Sequence, residues 1–481
     1  MTKCLLVSPR FPDFSYWNYR EVCELFGARY PSAPLGLVTA AALLPREWEI
    51  RLLDLNVREM DTALIDWADI VMAGGMIPQQ RTLLSLIELC HARGRRIAVG
   101  GQDPTSQPEV YGTADYLVLD EGEMTIPAFL ADLSAGATRG TYRSEAKPDV
   151  TQSPTPRFDL LELTKYLHVG VQFSRGCPFN CEFCDIIELY GRMPRTKTSQ
   201  QVLRELECLR RLGYTGHVDF VDDNFIGHKK SVMAFLPDLL TWSRERGFPF
   251  YFSTEATVNL ADDPTLLAMM EAVDFRYVFV GIETPDKDLL VRTRKRQNTR
   301  GSMVDSIHRL HRHGMVVTAG FIVGFDGEHR GVAETMAAFV DTAGIPMAMV
   351  GLLTALPNTQ LTRRLAREGR LPEDYSIQRP GDADQATWGL NFTPSRPAVE
   401  VLADYASILR RLYLPERYFG RVLTLARRLR RQPKQLGSTR GRWTEITALG
   451  AVIWRLGFGR ETAWHFWRTV LGVLVTRPQN F

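Results

Sequence analysis

The chain has 481 residues, 45% of them apolar and 23% charged, with a net charge of +3. These are the proportions of an ordinary globular protein and exclude a disordered tail, a collagen or a coiled-coil rod. The length accommodates roughly two to four domains, so an active site can lie between two of them.

Met1 to Pro9 holds one lysine, a short apolar run and a proline. It has neither the h-region nor the small-residue cleavage site of a signal peptide, so the expected location is cytoplasmic. Seven cysteines are too few for a disulfide scaffold, and three of them fall within eight residues, a clustering that in a reducing compartment points to a metal.

In chain order, apolar runs at 4–8, 50–54, 70–73, 97–100 and 116–119 alternate with helical patterns over residues 1–145. That alternation predicts an α/β domain with a parallel, doubly wound, Rossmann-like sheet. Residues 146–164, with Pro148, Pro154 and Pro156 among polar residues, show no sustained period and read as a linker. A second series over residues 165–395 has runs at 168–173, 217–221, 249–253, 277–281, 316–324 and 347–354. It predicts a partial (β/α)6 barrel of the TIM type, whose chemistry belongs at the carboxyl ends of the strands.

Residues 396–481 read as a helical, basic domain. From Pro415 onward there are 13 Lys+Arg against 3 Asp+Glu, a net +10, which leaves −7 for residues 1–414. Five arginines fall between Arg421 and Arg431, and four of the nine tryptophans (Trp443, Trp454, Trp464, Trp467) lie in the last 39 residues. No apolar run approaches the roughly 20 residues of a membrane-spanning helix. Two readings stay open: an amphipathic surface that lies on an anionic membrane, or a helical cap with a solvated arginine face. No nucleic-acid motif accompanies the charge.

Directly after the first predicted barrel strand stands Phe173-Ser-Arg-Gly-Cys177-Pro-Phe-Asn-Cys181-Glu-Phe-Cys184. Three thiolates on one compact loop suit a cubane iron–sulfur cluster that ordinarily takes four protein ligands, which leaves one iron open. A zinc site is the alternative; it wants a fourth ligand, for which His168 and His217 are available in the sequence.

This spacing, with Phe183 before the last cysteine, resembles the radical S-adenosylmethionine (SAM) enzymes over about residues 165–360. The resemblance implies that the open iron binds the amino and carboxylate groups of SAM and that its reductive cleavage yields a 5′-deoxyadenosyl radical. Gly320-Phe-Ile-Val-Gly324 matches the family's GxIxG strand beside adenine. Asp222 and Asp223 stand where relatives have Gly-Gly-Glu, a departure that keeps an anionic acceptor for the SAM ammonium. Glu255 and Glu283 end the third and fourth strands, in range of ribose or substrate, and Arg195 and Lys197 are candidates for the SAM carboxylate. A solvated surface charge is the alternative for each of these four. Leu356-Pro-Asn-Thr-Gln-Leu361 looks like the turn that closes the SAM site.

In the first domain no G-x-G-x-x-G or Walker sequence is present. The stretches around Gly36, Asn56, Gly74-Gly75 and Gly100-Gly101, followed by Asp120-Glu-Gly-Glu123, resemble the cobalamin-binding domain that precedes many radical SAM enzymes. Missing side chains at the paired glycines would admit a planar ligand; plain turn glycines are the alternative. Asn56 occupies the place of the cobalt-ligating histidine, which implies cobalt without a protein lower ligand.

The three-part order is similar to that of cobalamin-dependent radical SAM enzymes such as the hopanoid and bacteriochlorophyll C-methylases. The resemblance implies methylation of an unactivated carbon of a small molecule, a lipid or isoprenoid among the candidates, with an electron donor such as flavodoxin or ferredoxin. The alternatives are a radical cyclase, ring-remodelling enzyme or dehydrogenase, and a non-catalytic corrinoid or iron–sulfur sensor.

Overall fold

In the computed structural model the described residues are 1–15, 18–372, 375, 389–430 and 439–476, the first seven of the last stretch by backbone alone. Arg431 and the side chain of Trp443 lie outside them.

The opening run forms β1 (Lys3–Ser8), buried on both faces as a central parallel strand must be. Cys4 and Leu6 face one apolar layer while Leu5 and Val7 face another. β2 (Tyr30–Ser32) leaves this sheet, which continues with β3 (Glu49–Asp54), β4 (Ile70–Gly74), β5 (Arg96–Gly100), β6 (Tyr116–Val118) and β7 (Gly140–Tyr142) in the order β3-β1-β4-β5-β6-β7. All its pairings are parallel. The strand order reverses between β1 and β4, so the ligand crevice of this sheet lies beyond their carboxyl ends.

The second sheet contains every barrel strand expected from the sequence: β8 (Tyr166–Val171), β11 (Gly216–Phe220), β12 (Phe250–Ala256), β13 (Phe275–Glu283), β14 (Val316–Val323) and β15 (Met347–Leu352). A short hairpin of β9 (Ser174–Arg175) and β10 (Arg195–Thr196) stands apart. The sheet runs β15-β14-β13-β12-β11-β8-β2, a curled half-barrel with two open edges. Period-two alternation divides its faces: Val317, Ala319, Phe321 and Val323 of β14 are buried against the outer helices, while Val316, Thr318, Gly320 and Ile322 line the lumen.

Two expectations need correction. Residues 30–32, assigned by sequence to the first domain, pair in parallel with Tyr166 and His168 and complete the barrel sheet. The stretch 146–164 is no free linker: Val150 and Phe158 are buried, and Gln201 donates to the carbonyls of Val150 and Ser153. Three short 3-10 turns, Val150–Gln152, Phe158–Leu160 and Leu163–Lys165, shape it.

The C-terminal helices Ala398–Leu412 and Pro415–Arg428 pack on the barrel helix Val332–Ala343. Arg421, read as part of a basic surface, is fully buried, with Nη1 2.9 Å from Asp341 Oδ1 and Nη2 donating to the Leu412 carbonyl. Among the described residues no helix is long and apolar enough to cross a membrane.

Candidate active site

The cysteine loop is a closed unit. Ser174 and Arg175 pair antiparallel with Thr196 and Arg195, so the hairpin zips both ends of the segment that carries Cys177, Cys181 and Cys184. Gly176, at φ 92°, is required here: a Cβ would meet the Gly191 carbonyl oxygen at 2.8 Å. The amide of Cys177 donates to that same carbonyl.

The three thiols act on one another electrostatically, and burial pushes all of them up, Cys184 well above the usual thiol range. Metal binding at such a loop must displace protons. Asn224 Nδ2 lies 3.9 Å from Cys177 Sγ and Gln297 Nε2 lies 3.6 Å from Cys181 Sγ. Among the described residues no three His, Cys, Asp or Glu side chains converge on a single ion, as a mononuclear zinc site would demand. His217 is hydrogen-bonded to Ser253 inside the barrel, with His168 beside it, so neither serves as a fourth ligand to the cysteines. The residues present fit a multinuclear cluster held by three thiolates.

The two aspartates after β11 divide their work. Asp222 is buried and spends both oxygens on the loop, accepting from the Phe173 amide at 3.1 Å and from the Ser174 amide and hydroxyl at 2.5 Å. Burial pushes its carboxyl up to about 7. Asp223 accepts from the Gly176 amide through one oxygen and is half-buried, which leaves the other oxygen for an ammonium.

Glu255 faces the barrel lumen, open to it though deep in the protein. Burial, with Asp219, Asp223 and Asp222 nearby, pushes its carboxyl up to about 8. Glu283 is instead committed to Lys295, a buried ion pair on a backbone with φ 64°. Lys295 lies 5.9 Å from the Phe183 ring centroid, and Cys181 and Glu283 hold it charged against the cost of burial.

Arg195 and Lys197 are not free for the SAM carboxylate. Arg195 grips Glu121 with both Nη atoms, at 2.8 and 3.1 Å, and Lys197 is paired with buried Glu205. Glu121 also meets Arg175, which reaches Glu123 at 2.8 Å. Burial alone would raise Glu123, but Arg175 holds it at about 2. The stretch Asp120-Glu-Gly-Glu123 thus fastens the first domain to the cysteine loop.

On the other side of the loop, the helix Gln360–Arg367 that follows Leu356–Leu361 binds it through Gln360 to Asn180, Arg363 to Glu188 and Arg364 to Glu182. In the GxIxG strand, a Cβ on Gly320 would meet the Phe279 ring at 2.9 Å, and Gly324 has φ 110° with its amide bonded to Glu328.

The paired glycines end β4 and β5 as expected, and Gln102 just beyond them donates to the Tyr190 hydroxyl on the cysteine loop. The carboxyl end of the first sheet therefore abuts the segment that carries the thiols. The glycines also serve the chain itself, since a Cβ on Gly100 would strike the Val118 carbonyl at 2.4 Å and one on Gly101 the Gly75 backbone at 2.9 Å. A Cβ on Gly36 would meet open space. Asn56 is spent internally: it donates to Pro9 and Asp54 and accepts from the Phe11 amide.

Sequence reasoning missed Arg175, Asn224, Lys295 and Gln297. Arg175 lies inside the cysteine motif and Asn224 directly follows the aspartate pair, so both were within reach; Lys295 and Gln297 arrive on a distant loop without local signal.

Residues 171–340 match the model of the radical SAM superfamily, and residues 359–481 match that of a domain of unknown function. An uncharacterized methyltransferase of Synechocystis sp. is 44% identical over all of this chain and 89% of its own length. The hopanoid C-2 methylase of Rhodopseudomonas palustris is 34% identical over 92% of this chain and 84% of its own. The structure of TsrM, a radical SAM methyltransferase from Kitasatospora setae with cobalamin and a [4Fe-4S] cluster bound, superposes with a TM-score of 0.64 at 17% identity, over 94% of this chain and 99% of that one. That likeness shows a shared fold.

Proposed function

Because this chain belongs to the radical SAM superfamily and, within it, to the family of the hopanoid C-2 methylase, we propose that it methylates an unactivated carbon of an apolar small molecule, with a [4Fe-4S] cluster, SAM and cobalamin as cofactors. The observation that carries the reading is the juxtaposition of the glycine-lined crevice beyond β4 and β5 with the three-thiol loop, tied by Gln102 to Tyr190 and Glu121 to Arg195.

Cys177, Cys181 and Cys184 would hold the cluster, with Asn224 and Gln297 aimed at two of the sulfurs and Lys295 offsetting negative charge. The second oxygen of Asp223 is the acceptor we assign to the SAM ammonium, and the strand carrying Gly320 and Gly324 offers a side for adenine. Cobalamin would sit at Gly74-Gly75 and Gly100-Gly101, with Asn56 too constrained to reach cobalt. When bound, these groups supply the one-electron and methyl-transfer chemistry that no side chain provides for an unactivated C–H bond. The chain's own part is to hold them at one mouth and to exclude water there.

Domain limits of 1–145, 165–395 and 396–481, joined by a packed connector, are the working division, with β2 lent to the barrel. A flavodoxin or ferredoxin is the electron donor we infer. The exposed Trp454, Trp464 and Val475 of the last two helices and Phe458 between them, flanked by Arg455, Arg460 and Arg468, support peripheral contact with an anionic membrane and hence a lipid or isoprenoid substrate.

Anaerobically reconstituted protein tests the reading. Wild type should carry cubane iron and release both S-adenosylhomocysteine and 5′-deoxyadenosine under strong reductant. Cys177→Ala, Cys181→Ala and Cys184→Ala should each lose most of the iron and all of the 5′-deoxyadenosine. Full activity in any one of them would remove the assignment.

A further inference from the structure

On the lumen face of the half-barrel, well below the cysteine loop, His168, His217, Asp219, Tyr251, Ser253 and Tyr277 come together through strand register. His217 stands opposite Tyr251, Asp219 opposite Ser253, and Ser253 opposite Tyr277. Apart from the field of Asp219 on Glu255, none of these residues takes part in the site described above.

Their hydrogen bonds are directional. The Ser253 hydroxyl has one proton and gives it to Asp219, so toward His217 it accepts, at 2.6 Å from Nε2. His217 therefore carries its proton on Nε2 and keeps a lone pair on Nδ1. The His217 ring is stacked on Tyr251, with centroids 5.0 Å apart, and lies 5.0 Å from the ring of His168. Nδ1 of His168 is buried and has no partner. Burial keeps both imidazoles uncharged, His217 the more strongly. His168 thus holds an unspent nitrogen beside a second neutral ring, an arrangement that costs stability unless something fills it.

The wall around them joins the Arg276 guanidinium, 4.0 Å from the Tyr251 ring centroid, to soft apolar side chains. Phe279 and Met349 line the same face, and the Tyr19 hydroxyl lies 3.7 Å from Met347 Sδ and 3.6 Å from Met349 Sδ. Lumens of this kind bind through apolar area and take orientation from a few polar groups. His217 precedes Asp222 by five positions, which is roughly 15 Å along an extended strand.

We propose that the far end of the lumen recognises a hydroxyl group on an elongated, otherwise apolar substrate, the hydroxyl donating to Nδ1 of His217 and accepting from His168. The inference deepens the proposed function and rests on its placing of the reacting carbon at the cysteine loop. It fixes the substrate's chemistry at a second point, an uncharged polar group about 15 Å from that carbon. A cation is disfavoured, because both rings are neutral, the Arg276 guanidinium lies over the Tyr251 ring and Asp219 Oδ1 is taken by Ser253.

The test uses the full-length protein with cluster and two probes of matching length, 1-decanol and decane, whose binding is read by calorimetry. Wild type should prefer the alcohol by about tenfold, the worth of a well-formed hydrogen bond in a dry site. His217→Phe and His168→Phe should each abolish the preference while decane binding stays within a factor of two. Should either variant fail to fold, Ser253→Ala, which frees the His217 tautomer, should reduce the preference severalfold. Equal affinity in wild type, binding of neither probe, preference for decylamine over the alcohol, or a crystal of the decanol-soaked protein with only water between the histidines would overturn the proposal. Iron content and SAM cleavage measured on the same samples separate the two ideas. Their loss in wild type strikes the proposed function, whereas intact cleavage without alcohol preference strikes only this one.

Discussion

Arg195 and Glu121 form a two-pronged ion pair across the seam between the first sheet and the cysteine loop, and Glu121 is 3% exposed. The same carboxylate meets Arg175, two residues before Cys177. A hinge between the two domains would have to break charge-assisted bonds in a nearly dry place, so the seam is set as a fixed distance between the cofactor crevices.

Removing Glu121 leaves Arg195 without a carboxylate partner in a nearly dry seam and Arg175 with Glu123 alone. Glu121→Ala should cost about 3 kcal/mol, the lower range for breaking a buried pair. The loss is read as a shift in denaturant midpoint, with cluster iron falling as the loop loosens. An unchanged midpoint would show the seam to be open to water.

The adjacent aspartates should separate under the same isosteric change. Asp222→Asn puts an amide where two backbone N–H groups and a hydroxyl point, so the loop and its iron should be lost together. Asp223→Asn keeps an acceptor for Gly176 but removes a charge, so KM for SAM should rise about tenfold with iron content unchanged. If both variants lose iron equally, the division of labour is wrong.

His311 supplies a pH prediction far from the cofactors. It is fully buried with neither ring nitrogen bonded, and burial, with His308 and Arg428 near, lowers it to about 3. The unfolded chain binds a proton below about 6.5 and the folded chain does not, so stability falls as pH drops from there toward 3. His311→Phe should flatten this part of the stability–pH curve, measured by urea unfolding between pH 7 and about pH 4.5; a variant with the wild-type slope would refute the assignment.

Flotation with vesicles tests the last two helices. Wild type should rise with vesicles rich in anionic lipid and stay below with neutral ones, and the double change Trp454→Ser with Trp464→Ser should weaken flotation severalfold without altering SAM cleavage. Equal behaviour of the two proteins would leave those tryptophans without a membrane role.

Much of the architecture was legible because long parallel strands announce themselves as continuous apolar runs: five strands of the first sheet and six of the second stand where those runs predict. β2 (Tyr-Pro-Ser) and β7 (Gly-Thr-Tyr) escaped, since three residues with a proline or a glycine make no apolar run, whereas equally short β6 (Tyr-Leu-Val) does. The cysteine triad was legible because its ligands are local. Arg195 and Lys197 were not, because a cation's position in sequence says nothing of its partner, which for Arg195 lies 74 residues upstream. Glu283 misled for the same reason: it ends a strand at the mouth as expected, but Lys295 from the following loop claims it. Basic character at the C-terminus was real in count yet partly internal, as buried Arg421 shows.

The loan of Tyr30–Ser32 to the barrel edge makes the two halves of the chain inseparable as cassettes. Grafting a foreign cofactor domain at residue 146, or expressing the barrel alone from there, would strip β8 of one of its two neighbours and bare its edge amides and carbonyls to any passing strand. Chimeras that respect this molecule must keep Tyr30–Ser32 with the catalytic half.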